Sequence, residues 1–277
     1  MMNNELPLII ESRCNERAYR QDNPAFPYSP KEIIREAVRA WEAGASIFHW
    51  HGRDPETGKA CYDIELYLET IQGIRAETDI ILHPNCQYDM NLLVDMVPVV
   101  FGSTNEDFWD PQTKQFITYD QLYVNTRAKI MADVEILTKN NIHVSAACWN
   151  VGHIRTARCF QEMGLLSENT FWEFIFTGEL VPEGAKPTIT GLQALVTEIP
   201  RDNQWLVLCW NGDVMRLASW AITMGGHVGI GLGDWPYTRF GKPHNGELVE
   251  IVAKMAHTLG REVATPAQAR KMLKITE

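Results

Sequence analysis

Ser46-Ile47-Phe48-His49-Trp50-His51-Gly52-Arg53-Asp54 follows directly on Ala43-Gly44-Ala45. Histidines alternate with bulky apolar residues, the period of a strand, so His49 and His51 point to one face. Upstream, Ser29-Pro30-Lys31-Glu32 opens a helix: Ser29 caps it, Pro30 suits the first helical position, and Glu32 closes a capping box. Ile33, Ile34, Ala37, Val38 and Trp41 continue at helical spacing as far as Gly44, a usual residue just past a helix end. Before the helix, Leu8 to Cys14 reads as a strand. Strand, helix and strand in succession make a βαβ unit.

The unit repeats. Further strands are expected at 79–85, 98–103, 142–148, 170–176, 204–210 and 227–232. Helices are expected at 63–76, near 91–96, and at 118–140, 152–163, 188–198, 213–224 and 244–259, with a short terminal one opened by Thr265-Pro266-Ala267-Gln268. Eight strands alternating with helices predict an α/β fold, a (β/α)8 TIM barrel formed by residues 1–277 as one domain. A doubly wound open sheet is the alternative, but no GxGxxG follows the first strand.

Composition narrows the function. A net charge of −10 argues against nucleic acid and anionic membranes as general partners. The six cysteines lack CxxC spacing and read as reduced thiols of a cytoplasmic protein. No apolar run approaches the roughly 20 residues of a membrane span. Met1 to Pro7 has no signal-peptide core.

In a barrel, chemistry sits at the C-terminal ends of the strands. His49 and His51 are there, as are His83 and Asn85, Asn150, Trp210 and Asn211, and Asp234. Two imidazoles on one face are half of a divalent metal site, with Zn2+ the first candidate, and a third ligand is needed. Glu11, Glu16, His83 and Asp234 are available, and spacing does not choose among them. Glu11 shares a face of the first strand with Arg13, and if that strand is central both charges need partners. His143 and His153 read as structural.

The blocks Asn23-Pro24-Ala25-Phe26-Pro27-Tyr28-Ser29-Pro30-Lys31-Glu32-Ile33, Glu42 through Asp54, Gly225-Gly226-His227, Gly231-Leu232-Gly233-Asp234 and the tail Gly260 through Arg270 together resemble the β-keto acid cleavage enzyme family. The resemblance implies a zinc-bearing barrel, a homotetramer, that exchanges the acyl end of a β-keto acid with acetyl-CoA to give acetoacetyl-CoA or a related thioester. It makes His49 and His51 zinc ligands and Asp234 the catalytic aspartate. The family's third ligand, a glutamate, falls on Gly233; a strand-8 arginine falls on Gly229; a serine falls on Asn85; and two glutamates that hold a substrate amino group fall on Arg17 and Ala147. Glu11 is therefore expected to supply the missing carboxylate, with Glu16 as the alternative. Asp234 is expected to act as general base, Asn85 to support an oxyanion, and Arg17 to favour a neutral or anionic β-keto acid. Tryptophans near strand ends, Trp50, Trp210 and Trp235, would suit an apolar acyl chain. CoA-independent aldol or decarboxylative cleavage, and a binding protein with a decayed metal site, are the other readings.

Overall fold

The computed structural model describes residues 6–16, 20–86 and 93–275. Arg17 lies outside them, as do residues 91 and 92 of the helix expected near 91–96. Eight parallel strands form one sheet: β1 (Ile10–Arg13), β2 (Ile47–His49), β3 (Ile81–Leu82), β4 (Met96–Val100), β5 (His143–Cys148), β6 (Phe171–Thr177), β7 (Trp205–Trp210) and β8 (His227–Ile230). Their order is β3-β2-β1-β8-β7-β6-β5-β4, so β1 is central and the barrel seam lies between β3 and β4.

The helices are α1 (Pro30–Glu42), α2 (Ile64–Glu77), α3 (Arg127–Lys139), α4 (Val151–Glu162), α5 (Ile189–Val196), α6 (Met215–Met224), α7 (Asn245–Thr258) and α8 (Pro266–Leu273). Both expected capping boxes form, Ser29 with Glu32 and Thr265 with Gln268. None of these helices is long and apolar enough to cross a membrane.

Two expected elements differ. Residues 93–95 are not helical, and Met96 already belongs to β4. The helix expected from 118 begins at Arg127, because Thr126 accepts a hydrogen bond from the Lys129 amide and fixes the start there. The preceding stretch is rich in β-branched and aromatic residues and pairs as antiparallel ladders, Thr104–Asn105 with Leu122–Tyr123 and Trp109–Asp110 with Gln115–Phe116.

Period-two alternation builds the barrel interior in tiers. Ile9, Ile47, Ile81, Phe171 and Leu206 belong to an apolar floor, against which Ala264, Ala269 and Leu273 of the C-terminal segment pack. One step up each strand come Glu11, His49, His83, Ser145 and Glu173, all buried and polar. Another step brings Arg13, His51, Asn85 and Ala147 to the mouth. The chemistry-bearing side chains thus sit above a plugged floor.

Asp95 joins the seam. Its amide donates to the Leu82 carbonyl at 3.2 Å, and its Oδ2 accepts from the Leu82 amide at 2.7 Å. Arg270 of α8 binds its Oδ1 at 2.6 Å, and Arg75 of α2 binds Oδ2 at 3.3 Å. One carboxylate therefore does the work of a strand edge. Asp95→Ala is expected to lower the unfolding free energy by roughly 2–4 kcal/mol. Asp79→Ala, which loses an exposed contact to Trp41, is expected to cost about 1 kcal/mol or less. Urea melts of the two variants check this, and equal losses would contradict the seam role.

Candidate active site

A cavity of about 440 Å3 opens at the C-terminal ends of the strands, with Arg13, Glu16, His49, His51, Asn85 and Glu173 on its wall. His49 and His51 project together, as their spacing requires, and their Nε2 atoms stand 3.2 Å apart. Burial, and then the charges of Arg13, His51 and His83, hold the His49 pKa well below the usual imidazole range. A Glu16 oxygen lies 3.9 Å from His51 Nε2. Ligand atoms of Glu16, His49 and His51 all fall within 4.8 Å of one another. The edge of a tetrahedron with metal bonds of about 2.1 Å is about 3.4 Å. These three side chains therefore fit a divalent cation with small adjustment.

Glu16 is placed by the chain beside it. Asn15 accepts from the His51 amide at 2.8 Å and donates to the His51 carbonyl at 3.1 Å. Arg53 donates through Nε to the Asn15 carbonyl at 2.7 Å and through Nη2 to the Glu16 carbonyl. The arginine following the two histidines thus pins the backbone that carries Glu16.

The glycines of β8 and its loop make room for that backbone. A Cβ at Gly231 would lie 1.9 Å from the Arg13 carbonyl oxygen. A Cβ at Gly233 would lie 2.5 Å from the Glu16 amide nitrogen, and one at Gly229 would lie 2.9 Å from Arg13 Cδ. Gly233 is more than a missing glutamate: the Arg13–Glu16 segment occupies the space a side chain there would need.

Glu11, expected as the third ligand, is drawn elsewhere. Its Oε1 accepts from Arg13 Nη1 at 2.7 Å and its Oε2 lies 2.9 Å from His83 Nδ1. It also forms a metal-sized group with His49 and His83. Burial would raise the Glu11 pKa, but His83 and Arg13 outweigh it and hold the carboxyl low. Burial would lower His83, but Glu173 and Glu11 outweigh it and raise its pKa.

Arg13, 4% exposed, is the hub. Its Nε donates to both oxygens of Asp234, at 3.2 and 3.0 Å, and its Nη2 donates to Glu16 at 2.7 Å. Asp234, buried after the end of β8, lies against the Nε edge of Arg13. Burial pushes its pKa up to about 7, against the pull of Arg13. Asn85 lies at the wall with Nδ2 3.5 Å from His51 Nε2.

The structure gathers His49, His51, Glu16, Asn85 and Arg13 at one mouth, with Asp234 and Glu11 behind. His143 begins β5, at the far end from the mouth. Trp50 is buried and stacks on Phe48, so the expected acyl-chain role does not fall to it. Trp149 lines the cavity instead, with Val100, Ile175 and Tyr123. Glu173 was not anticipated, although a lone carboxylate inside Phe171-Trp172-Glu173-Phe174-Ile175 is a legible signal. It stands beside Ala147 in the β5–β6 register.

Comparison with known proteins agrees with this architecture. A family model described as beta-keto acid cleavage enzyme matches residues 7–275. The chain is 31% identical over 273 residues to the 3-keto-5-aminohexanoate cleavage enzyme of Fusobacterium nucleatum subsp. nucleatum, covering 97% of each. It is 25% identical over 274 residues to the 3-dehydrocarnitine:acetyl-CoA trimethylamine transferase of Rhizobium meliloti, covering 91% of this chain and 90% of that one. The apo structure of ObcA matches with a TM-score of 0.68 at 12% identity, over 91% of this chain and 66% of that one, a likeness of fold. The family match runs from before β1 to the end of α8 and takes in every wall residue named above, and on that ground the chain belongs to the beta-keto acid cleavage enzyme family.

Proposed function

We propose that this enzyme cleaves a β-keto acid against acetyl-CoA, giving acetoacetyl-CoA or a related thioester and a shortened product. The observation that carries this is the group Glu16, His49 and His51 on the wall of the cavity at the barrel mouth. These three side chains are the proposed ligands of Zn2+, a metal suited to two imidazoles and a carboxylate. When bound, the metal supplies Lewis acidity to the keto and carboxylate oxygens of the substrate. Asp234, held by Arg13 Nε, is the proposed general base that takes a proton from the nucleophile or substrate and returns it to the product, and its raised pKa suits a base near neutrality. Asn85 donates to a developing oxyanion from the wall beside His51.

Trp149, Val100, Ile175 and Tyr123 form the wall for the acyl tail. Glu173 is held by Arg13 and His83, which leaves a neutral or anionic tail as the better fit, and Arg17 is proposed from the sequence as a further cation for such a tail. The cytoplasm is the proposed compartment, in keeping with six unpaired cysteines. A homotetramer is the proposed assembly, in which exposed Ile117, Tyr119 and Leu122 are candidates for burial. The residues of the whole chain act as one domain in this proposal.

The second reading places the metal with Glu11, His49 and His83. It is favoured by burial but opposed by the bond Glu11 and His83 already make to each other. Zinc titration separates the two. Glu16→Gln is expected to weaken zinc binding roughly 100-fold or more, and Glu11→Gln about tenfold or less. The reverse order would move the site inward. Thioester formation from acetyl-CoA, measured on zinc-loaded enzyme with a panel of β-keto acids of neutral, anionic and ammonium tails, tests the activity. No CoA-dependent turnover across the panel would remove the proposal.

A further inference from the structure

Four side chains close a ring across the barrel. Arg13 Nη1 donates to Glu11 Oε1 at 2.7 Å, and His83 Nδ1 lies 2.9 Å from Glu11 Oε2. His83 Nε2 stands 3.4 Å from Glu173 Oε1, and Glu173 Oε2 stands 3.7 Å from Arg13 Nη1. Basic and acidic side chains alternate around the ring, and none of them is more than 5% exposed. The members come from β1, β6 and the residue after β3, so the ring ties distant walls of the barrel together. Ser145 Oγ lies 2.9 Å from His83 Nε2, so both imidazole nitrogens have a polar partner. Ala147 stands next to Glu173 in the β5–β6 register.

Stability does not explain such a layer, since well-packed apolar residues of the same volume serve a core as well or better. Its geometry does. The ring takes one corner of the Arg13 guanidinium, Nη1. The other two corners hold Glu16 and Asp234. A guanidinium is rigid and planar, so fixing one corner and its plane fixes what the others hold.

We propose that Glu173 and His83 are positioning residues: through the ring they lock the Arg13 guanidinium, and through it the places of Glu16 and Asp234 at the cavity. The roles given to Glu16 and Asp234 rest on the function proposed above, whereas the locking of Arg13 does not.

The test follows the Arg13 side chain directly. Protein labelled with 15N-arginine reports exchange of the Arg13 Nε–H with water, and Glu173→Gln keeps the shape of the ring while replacing one carboxyl oxygen by an amide. Exchange is expected to quicken about tenfold or more. Zinc affinity is expected to fall about tenfold. In turnover, kcat is expected to fall about tenfold or more, with KM within about threefold, as for a misplaced base. A purely structural Glu173 would lower the melting temperature and leave exchange, zinc affinity and kcat of the folded enzyme unchanged, which overturns the proposal. Should Glu173→Gln not fold, Ser145→Ala removes the hydroxyl that braces His83 Nε2 and Glu173, and the same three changes are expected at smaller size; their absence overturns the proposal too. If the wild type turns over no β-keto acid, the proposed function falls, while exchange and zinc affinity still decide the ring.

Discussion

Asp234→Asn is expected to lower kcat by about 10²- to 10⁴-fold, the usual worth of a positioned general base, with zinc content unchanged. The substitution keeps the shape of the side chain and removes its capacity to take a proton. In the native site, burial raises the carboxyl to about 7 and Arg13 opposes the rise. The Arg13 Nε–H is shared between both carboxylate oxygens, so neither is saturated by a strong donor. A base must be ionised to act, so activity is expected to fall as pH drops through the Asp234 pKa. That inflection is expected at about 7 or below, because a dication held nearby favours the carboxylate. The pH dependence of kcat/KM measured on wild type and on Asp234→Asn checks both points. A variant that keeps its rate within about tenfold, with the same inflection, would transfer the base role to another group, Glu16 first.

The sequence carried the site in unequal parts. His49 and His51 were legible because a period of two is visible without neighbours. So was the problem posed by Glu11 and Arg13: two charges on one strand face need partners if the strand is central, and β1 is central. Which partners they find depends on strand order, and that placed Asp234, His83 and Glu173 around them. The lone carboxylate of Glu173 was legible inside its apolar run, but the partners it meets across the barrel were not. The helix expected from residue 118 failed for a related reason, since weak helical spacing there yielded to pairing with Thr104–Asn105. At Gly233 the family resemblance implied a missing side chain but not what filled its space. Only the close approach of β1 to β8 shows that Arg13 crosses Gly229 and that Glu16 follows directly above Gly233.

That close approach sets the last and least intuitive expectation: Gly233→Glu, which restores the glutamate the resemblance leads one to expect, is predicted to abolish zinc binding rather than to improve it. The new Cβ would stand 2.5 Å from the Glu16 nitrogen, 2.9 Å from the Asn15 nitrogen and 3.0 Å from the Arg13 carbonyl oxygen. All three are backbone atoms, so no side-chain rotation relieves the contact. The segment Arg13–Glu16 must lift off β8, breaking the bond from the Gly233 amide to the Arg13 carbonyl at 3.0 Å. Glu16 then leaves the histidines, and the pairing of Asn15 with the end of β2 goes with it. A loss of roughly 3 kcal/mol or more is expected, at the upper end for forced overpacking because backbone rather than side chain must move. Gly164→Ala is the comparison: its φ of +72° strains any side chain, but nothing lies within 4 Å of the new Cβ, so about 1 kcal/mol is expected. Melting curves and zinc titration on the two variants, beside wild type, decide the matter. Zinc bound as tightly in Gly233→Glu as in wild type, at an unchanged melting temperature, would mean that the β1 loop is not seated on Gly233 and that Glu16 is not the carboxylate of this site. The expected pattern, stability and metal lost together on adding a carboxylate, follows from steric exclusion by the neighbouring strand and has no counterpart in a site that merely lacks a ligand.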